Sequence, residues 1–415
     1  MSINIYSIFA LLMVLTACFS YVNVRFIKLP ATIGIMLISL LCSLILISLG
    51  ESFPDLIEWP VSIIGSIDFE TLLMRIMLSF LLFAGAIQID VQKLKEELAS
   101  IIAYSTIGVI ISTLMIGSTM YFVFAMFDLQ VPFIYSLLFG ALISPTDPIA
   151  VLGILKDAKI PSSMEIKITG ESLFNDGVGV VVFISLLDIA SVGVHGISAG
   201  ETAMLFIKEA GGGILWGLLL GYSGYFLIKS IDHYQVEVLI TIAMVMGGYL
   251  LAQDLDISGP LAMVVAGIIT GNKGKRSAMS VTTKDYVNKF WELIDEILNA
   301  LLFMLIGFEI IVLAFNQRII FLGLIAIVVV FLGRLISVFL PTSILSFRKT
   351  FNRKMLSILT WGGIRGGISV ALALSLPKGD YRNIIVSITY IVVVFSILVQ
   401  GLTIGKLAKR LSYSK

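Results

Sequence analysis

Charge is scarce in this 415-residue chain. Asp, Glu, Lys and Arg make up 13% of it, against about 25% in an ordinary soluble domain. No sign dominates, since 28 Lys and Arg face 27 Asp and Glu. Low charge without a basic excess excludes a nucleic-acid binder, a disordered chain and an ordinary soluble enzyme. Cysteine is nearly absent. Cys18 and Cys42 both lie in apolar runs, which leaves no disulfide framework and no zinc spacing and marks them as small membrane-core residues. The two histidines, His195 and His233, fall in predicted connections and read as solvated loop residues rather than pH sensors. No Lys or Arg precedes the first apolar run, Ile5–Val22, and no small-residue cleavage site is evident. That run reads as a membrane span and not as a signal peptide. There is no Walker motif and no soluble segment to carry one, so no nucleotide or other cofactor is expected.

The chain is instead rich in apolar residues, 58% by count, with a mean hydropathy of +1.04. The fold class is an all-α polytopic membrane protein, with the lipid bilayer as its main partner. Runs of roughly 20 apolar residues cross a hydrocarbon core of about 30 Å. Thirteen such runs are expected, at 5–22, 30–49, 71–89, 98–126, 133–155, 165–187, 203–228, 236–252, 259–271, 290–315, 319–340, 354–376 and 384–405. The ninth is short, and the fourth and tenth are long enough to tilt or to begin as interfacial helix. With the N-terminus outside and the C-terminus cytoplasmic, one set of connections holds nearly all the loop Lys and Arg. The other set holds only Arg318, Lys378 and Arg382, the skew of the positive-inside rule. The expected location is the cell (inner) membrane.

Thirteen spans divide as six, one, six. Span 1 and span 8 then run in opposite directions, the plan of two inverted repeats. The whole chain, 1–415, reads as one transmembrane domain: a first repeat over 5–187, a linking helix over 203–228, a second repeat over 236–405 and a short tail over 406–415. The fifth span of each half is interrupted. Span 5 contains Ser144-Pro145-Thr146-Asp147-Pro148, and span 12 contains Gly362-Gly363-Ile364-Arg365-Gly366-Gly367. The two prolines remove amide donors and free the carbonyls of Ala141 and Ser144. Four glycines around Arg365 weaken the helix at similar depth. Such breaks persist at membrane depth only where they are buried in protein or line a cavity. Pro and Gly also mark simple kinks and close packing, but here both breaks carry an ionisable residue.

Ionisable side chains at bilayer depth mark functional sites by default. In span 6, Glu171 and Asn175 share one helix face, and Ser172 and Asp176 the adjacent stripe. Asp176 lies roughly 16 Å into its span, the middle of the bilayer, and Asp147 in span 5 lies at similar depth. The hydroxyls of Thr146 and Ser172 and the freed carbonyls are hard oxygen donors for a small monovalent cation. Glu171 and Arg334 of span 11 both stand about 9 Å from the inner boundary. A buried arginine needs a carboxylate, so Arg334 is expected to pair with Glu171, with Asn175 bonded into the same network. Arg365, at mid-depth, is placed to balance the dipole ends of the broken spans, with Asp147 facing the half-helix that follows it. Low dielectric penalises a bare carboxylate. One such group carries a proton or a cation but not both, and a site open to one side at a time then gives obligate exchange.

These residues resemble a known family. The Ser-Pro-Thr-Asp-Pro break, GESLFNDGVGVVVF in span 6, FWELIDEILNALLFMLIGFEI in span 10 and GGIRGGISVALALSLP in span 12 are similar, in that order, to monovalent cation/proton antiporters of the NhaP-type and eukaryotic sodium/hydrogen exchanger group. The resemblance implies that Asp176 carries the cation and proton, and that Ser172 and the Thr146 backbone ligate the cation. It implies that Asp147 stabilises two crossed, unwound helices, and that Glu171, Asn175 and Arg334 form a structural polar triad. Asn175, where another branch has a second aspartate, implies electroneutral one-for-one exchange of Na+ for H+, with K+ or Li+ as alternative substrates. A homodimer is implied, with a core moving against a dimer scaffold. In one departure, many relatives carry a glutamate in the third span where this chain has Ala84, in Leu82-Phe83-Ala84-Gly85-Ala86, and alanine cannot ligate a cation.

Lys208 with Glu209, and Glu292, Asp295 and Glu296, either line an ion funnel or sit at the interface, the commoner place for charges near span ends. Glu309 is assigned no role. An intramembrane aspartyl protease built on Asp147 and Asp176 would resemble a Tyr-Asp and Gly-x-Gly-Asp pairing, which is missing. An ion channel would need no proton-coupled carboxylate.

Overall fold

The computed structural model describes residues 5–52, 71–147, 152, 154–155, 160–192, 199–313, 315–346 and 353–411. His195 and Pro148 lie outside them. The described residues are helical, with no strand among them. In chain order the helices are α1 (Ile5–Val22), α2 (Ala31–Ser52), α3 (Leu78–Ile87), α4 (Val91–Ile102), α5 (Gly108–Met126), α6 (Phe133–Ile143), α7 (Ser162–Val192), α8 (Ala199–Lys229), α9 (Tyr234–Asp254) and α10 (Gly259–Ile269). They continue with α11 (Val281–Glu309), α12 (Gln317–Ser346), α13 (Arg353–Trp361), α14 (Gly367–Leu374), α15 (Asp380–Phe395) and α16 (Gly401–Arg410). Single π turns precede α3, join α4 to α5 and α15 to α16, and extend α1 and α10.

Helix starts follow local chemistry. Asp90 caps α4 by accepting from the Gln92 amide at 2.8 Å, Ser258 caps α10 from Leu261 at 3.3 Å, and Ser280 caps α11 from Thr283 at 3.3 Å. The Asp90 cap starts α4 before the apolar run begins, so the fourth span enters the membrane from an amphipathic helix.

Eight helices among the described residues are long and apolar enough to cross a membrane, and two shorter apolar ones cover Thr71–Ile87 and Phe133–Ile143. The difference from thirteen apolar runs has physical causes. Spans 5 and 12 are split by their Pro and Gly breaks, spans 3 and 9 are short helices among the described residues, and the helix of span 10 begins among acidic residues.

Packing divides the helices into two bundles. α1, α2, α3, α8, α9, α10 and α11 pack on one another and form a scaffold bundle. α4 to α7 and α12 to α16 form a second, in which α5 packs on α6 and α12, α7 on α4 and α6, and α15 on α12 and α14. The bundles touch chiefly where α7 meets α8 and α10, and where α11 meets α14. All residues singled out from the two breaks and span 6 belong to the second bundle.

Candidate functional site

Both interrupted spans leave the helix where their sequence demands it. α6 ends at Ile143, and 144–147 are non-helical. α13 ends at Trp361, and α14 begins only after 363–366 have left the helical path. The two irregular stretches meet. The Asp147 amide donates to the Ile364 carbonyl at 2.7 Å. Arg365 reaches back across the break, with Nη1 donating to the Ser144 carbonyl at 2.6 Å and to that of Pro145 at 3.0 Å. It is fully buried, and its own amide donates to Ser396 Oγ at 3.0 Å. The guanidinium thus serves the Ser144 carbonyl, which Pro148 leaves without a helical amide partner, and the next carbonyl along the break, that of Pro145, a satisfaction that a low-dielectric interior makes obligatory.

Span 6, now α7, lines up against the first break. The Ser172 hydroxyl donates to the Thr146 carbonyl. Asn175 holds the same residue from a second side, with Nδ2 donating to Thr146 Oγ1 at 2.9 Å and Oδ1 accepting from the Thr146 amide at 3.3 Å. Thr146, Ser172 and Asn175 are buried. Asn175 therefore works on the break itself rather than on the arginine pair. Its position one turn beyond Glu171 brings it level with Thr146 instead.

Arg334 forks onto Glu171, with Nη1 on Oε1 and Nη2 on Oε2, the latter at 3.0 Å. Its Nε and Nη2 also donate to the Leu359 carbonyl at 3.2 and 3.0 Å. One buried guanidinium thus ties α12 to α7 and α13, with charge neutralised and donors used, the condition for burying an ion pair.

A cavity of about 310 Å3 lies between the bundles. It runs from exposed Asp90 and Lys93 inward to Thr146, Asp147, Ser172 and Asp176. Asp176 and Asp147 are partly exposed, and both line it. Asp147 lies beside Gly366, where a Cβ would collide with its Oδ2, so the carboxylate sits at the N-terminal end of α14, where the helix dipole favours a negative charge. Most of the helix expected to follow Asp147 in sequence falls outside the described residues.

The scaffold wall of the cavity includes Leu82 and Gly85 of α3 and Asp295 and Asn299 of α11. Ala84 is fully buried and does not line it. Of the three acids that the sequence leaves between an ion funnel and the interface, Asp295 is the one that lines the cavity. It accepts from Asn299 Nδ2 at 3.1 Å, one turn on. The i, i+4 spacing of Asp295 and Asn299, which puts two polar groups on one face, is the signal for it in the sequence. Glu292, Glu296 and Glu309 do not line the cavity. Glu309 is buried, while Lys208 stands 3.9 Å from Asp256 with both side chains largely exposed.

The ancestry of the chain agrees with this geometry. A family model described as sodium/hydrogen exchanger, transmembrane, matches residues 12–410. The chain is 50% identical over 402 residues to the Na(+)/H(+) antiporter NhaP of Pseudomonas aeruginosa, spanning 96% of this chain and 95% of that protein. It is 36% identical over 395 residues to the Na(+)/H(+) antiporter NhaH of Halobacillus dabanensis, spanning 93% of each. Among solved structures, the sodium proton antiporter MjNhaP1 from Methanocaldococcus jannaschii at pH 8 matches with a TM-score of 0.75 over 97% of each chain, at 21% identity, a likeness of fold. A match this long, carried through both broken helices and the helix between them, assigns the chain to the sodium/hydrogen exchanger family, in its NhaP-type branch.

Proposed function

We propose that this protein is a secondary antiporter that exchanges Na+ for H+ across the cell membrane. One observation carries the reading. A partly exposed carboxylate, Asp176, shares a cavity with the oxygen donors Ser172 and Thr146 and with Asp147, at the meeting point of two broken helices. A proton and a cation compete for Asp176. Ser172, the Thr146 carbonyl and Asp147 complete the cation's surroundings, while Glu171, Asn175, Arg334 and Arg365 hold the frame. Exchange is one for one and electroneutral, since one titrating carboxylate serves both ions. K+ and Li+ are further candidate substrates.

The cavity opens beside Asp90 and Lys93, on the side where the sequence concentrates Lys and Arg. In this reading that side is cytoplasmic, the N-terminus is outside and the C-terminus inside. The two bundles move against each other to expose the site alternately. Thirteen spans in two inverted six-span repeats, and a homodimeric assembly, complete the proposal. The antiporter relatives support the substrate pair.

Everted vesicles with an imposed pH gradient and a fluorescent pH reporter test it. Added Na+ should dissipate the gradient, and Asp176→Asn should abolish the response. Dissipation without added Na+, or full activity in the variant, overturns the assignment. The same assay with K+ and Li+ reads the selectivity.

A further inference from the structure

Between α3 and α4 the chain leaves the scaffold bundle and enters the bundle that holds the site. This connection, 88–90, is only three residues long, and Gln88, Ile89 and Asp90 all line the cavity. Side chains from the π turn that extends α10 and from the short helical turn Lys275–Ser277 after it, some 180 residues away, hold it in place.

Asn272 grips the connection at two points. Its Oδ1 accepts from the Val91 amide at 2.9 Å, and its Nδ2 donates to the Ile89 carbonyl at 2.8 Å. The same Nδ2 donates to the Ile268 carbonyl of its own helix at 2.9 Å, which fixes the side chain's rotamer. Lys275 Nζ donates to the Ile87 carbonyl at 2.8 Å. Arg276 stands 3.9 Å from Asp90, the residue that caps α4.

The anchor itself is stiff. A Cβ at Gly267 would fall 2.6 Å from Ala86 Cβ and 2.9 Å from the Phe83 carbonyl oxygen, and one at Gly271 would collide with the Ile87 carbonyl. α3 and α10 therefore touch backbone to backbone, as small residues one turn apart allow in membrane helices. Asn272 and Gly271 sit in the π turn Thr270–Gly274, a local widening often found at functional positions in helices.

A segment whose carbonyls and amide are bonded at both ends to α10 cannot slide along it. With α3 locked against α10, turning about this point is left to α4 on the site side. We propose that Asn272 is a positioning residue for the exchange cycle: with Lys275 it pins 87–91 to the end of α10, making this connection the fixed pivot on which the site bundle turns. The proposal rests on the alternating-access reading above.

Two measurements test it. In everted vesicles, Asn272→Leu removes both grips at nearly constant volume. The maximal Na+-dependent rate should fall about tenfold while the KM for Na+ stays within twofold. A KM change at unaltered rate, or no change in either, overturns the proposal.

The second measurement needs no variant of Asn272. In a chain carrying Cys18→Ser and Cys42→Ser, paired spin labels at positions 92 and 276 report across the pivot, and labels at 246 and 321 report between the bundles. In liposomes, the first distance should be the same at acidic pH without Na+ and at alkaline pH with it, while the second shifts by several ångströms. A shift of the first pair equal to that of the second, or no shift in either, overturns the pivot, whether or not Asn272→Leu folds. An unmodified protein that gives no Na+ response at all sinks the exchange reading and the pivot with it; a normal response with a moving first pair sinks the pivot alone.

Discussion

The Asp147 carboxylate rests against the backbone of Gly366 with no room for a Cβ between them. One break of the membrane helices thus supplies the acid and the other supplies the gap that receives it. Gly366→Ala should displace Asp147 by the width of a methyl group. Misplacement of that order costs about 100-fold in a rate that depends on positioning, and the Na+-dependent rate in everted vesicles should fall accordingly while the protein still elutes as a single species. Wild-type exchange in this variant would show that Asp147 needs no fixed seat.

Arg334 and Glu171 are predicted to be strongly coupled. Removing one member strands the other's charge, so Arg334→Met or Glu171→Gln alone should cost about 3–5 kcal/mol. The double variant should lose much less than the sum. Thermal unfolding of the four proteins measures the coupling, and additive losses would argue that the fork contributes nothing.

Asp295 faces the cavity from the scaffold side without joining the Ser172–Thr146 cluster. In the exchange reading, a carboxylate there raises the local cation concentration without ligating the transported ion. Asp295→Asn is expected to raise the KM for Na+ about three- to tenfold and leave the maximal rate near wild type. Added salt that is not transported should shrink the difference. A collapse of the maximal rate instead would assign Asp295 to the exchange step.

Lys275 gives a pH dependence with a definite sign. Burial pushes its ammonium down to about 8, from an ordinary value of 10.5. Between those values the unfolded chain still holds the proton that the folded chain has released, so the contribution of Lys275 to stability rises with pH across that window. Unfolding midpoints of wild type and Lys275→Met, compared at pH 7 and pH 9.5, should diverge in favour of the wild type at the higher pH. Parallel midpoints would mean that the side chain titrates normally.

Much of the site was legible in the sequence because its chemistry is expensive in lipid. Pro145 and the glycines around Arg365 have few roles at membrane depth other than to break helices. Equal depth sufficed to match Arg334 with Glu171. Depth says nothing of azimuth, however. Asn175 shares a face with Glu171 yet turns to Thr146, because the break brings that backbone within its reach. Its depth places Arg365 to balance helix dipoles, whereas it bonds directly to the Ser144 and Pro145 carbonyls of the break. Asp295 was hidden by its neighbours, since Glu292 and Glu296 make the whole turn look interfacial. Nothing local in Asn272 announces its grip on a connection so far away in sequence.

Arg365 and the Pro145 carbonyl that it serves are 220 residues apart. A nascent chain inserts its first broken helix long before that guanidinium has left the ribosome. Until the last helices arrive, the Ser144 and Pro145 oxygens must borrow partners from water or from neighbouring helices. The meeting point of the two breaks therefore cannot take its final form during synthesis of the first half, and a chain cut short before α13 would carry Asp176 into the membrane with its surroundings unfinished.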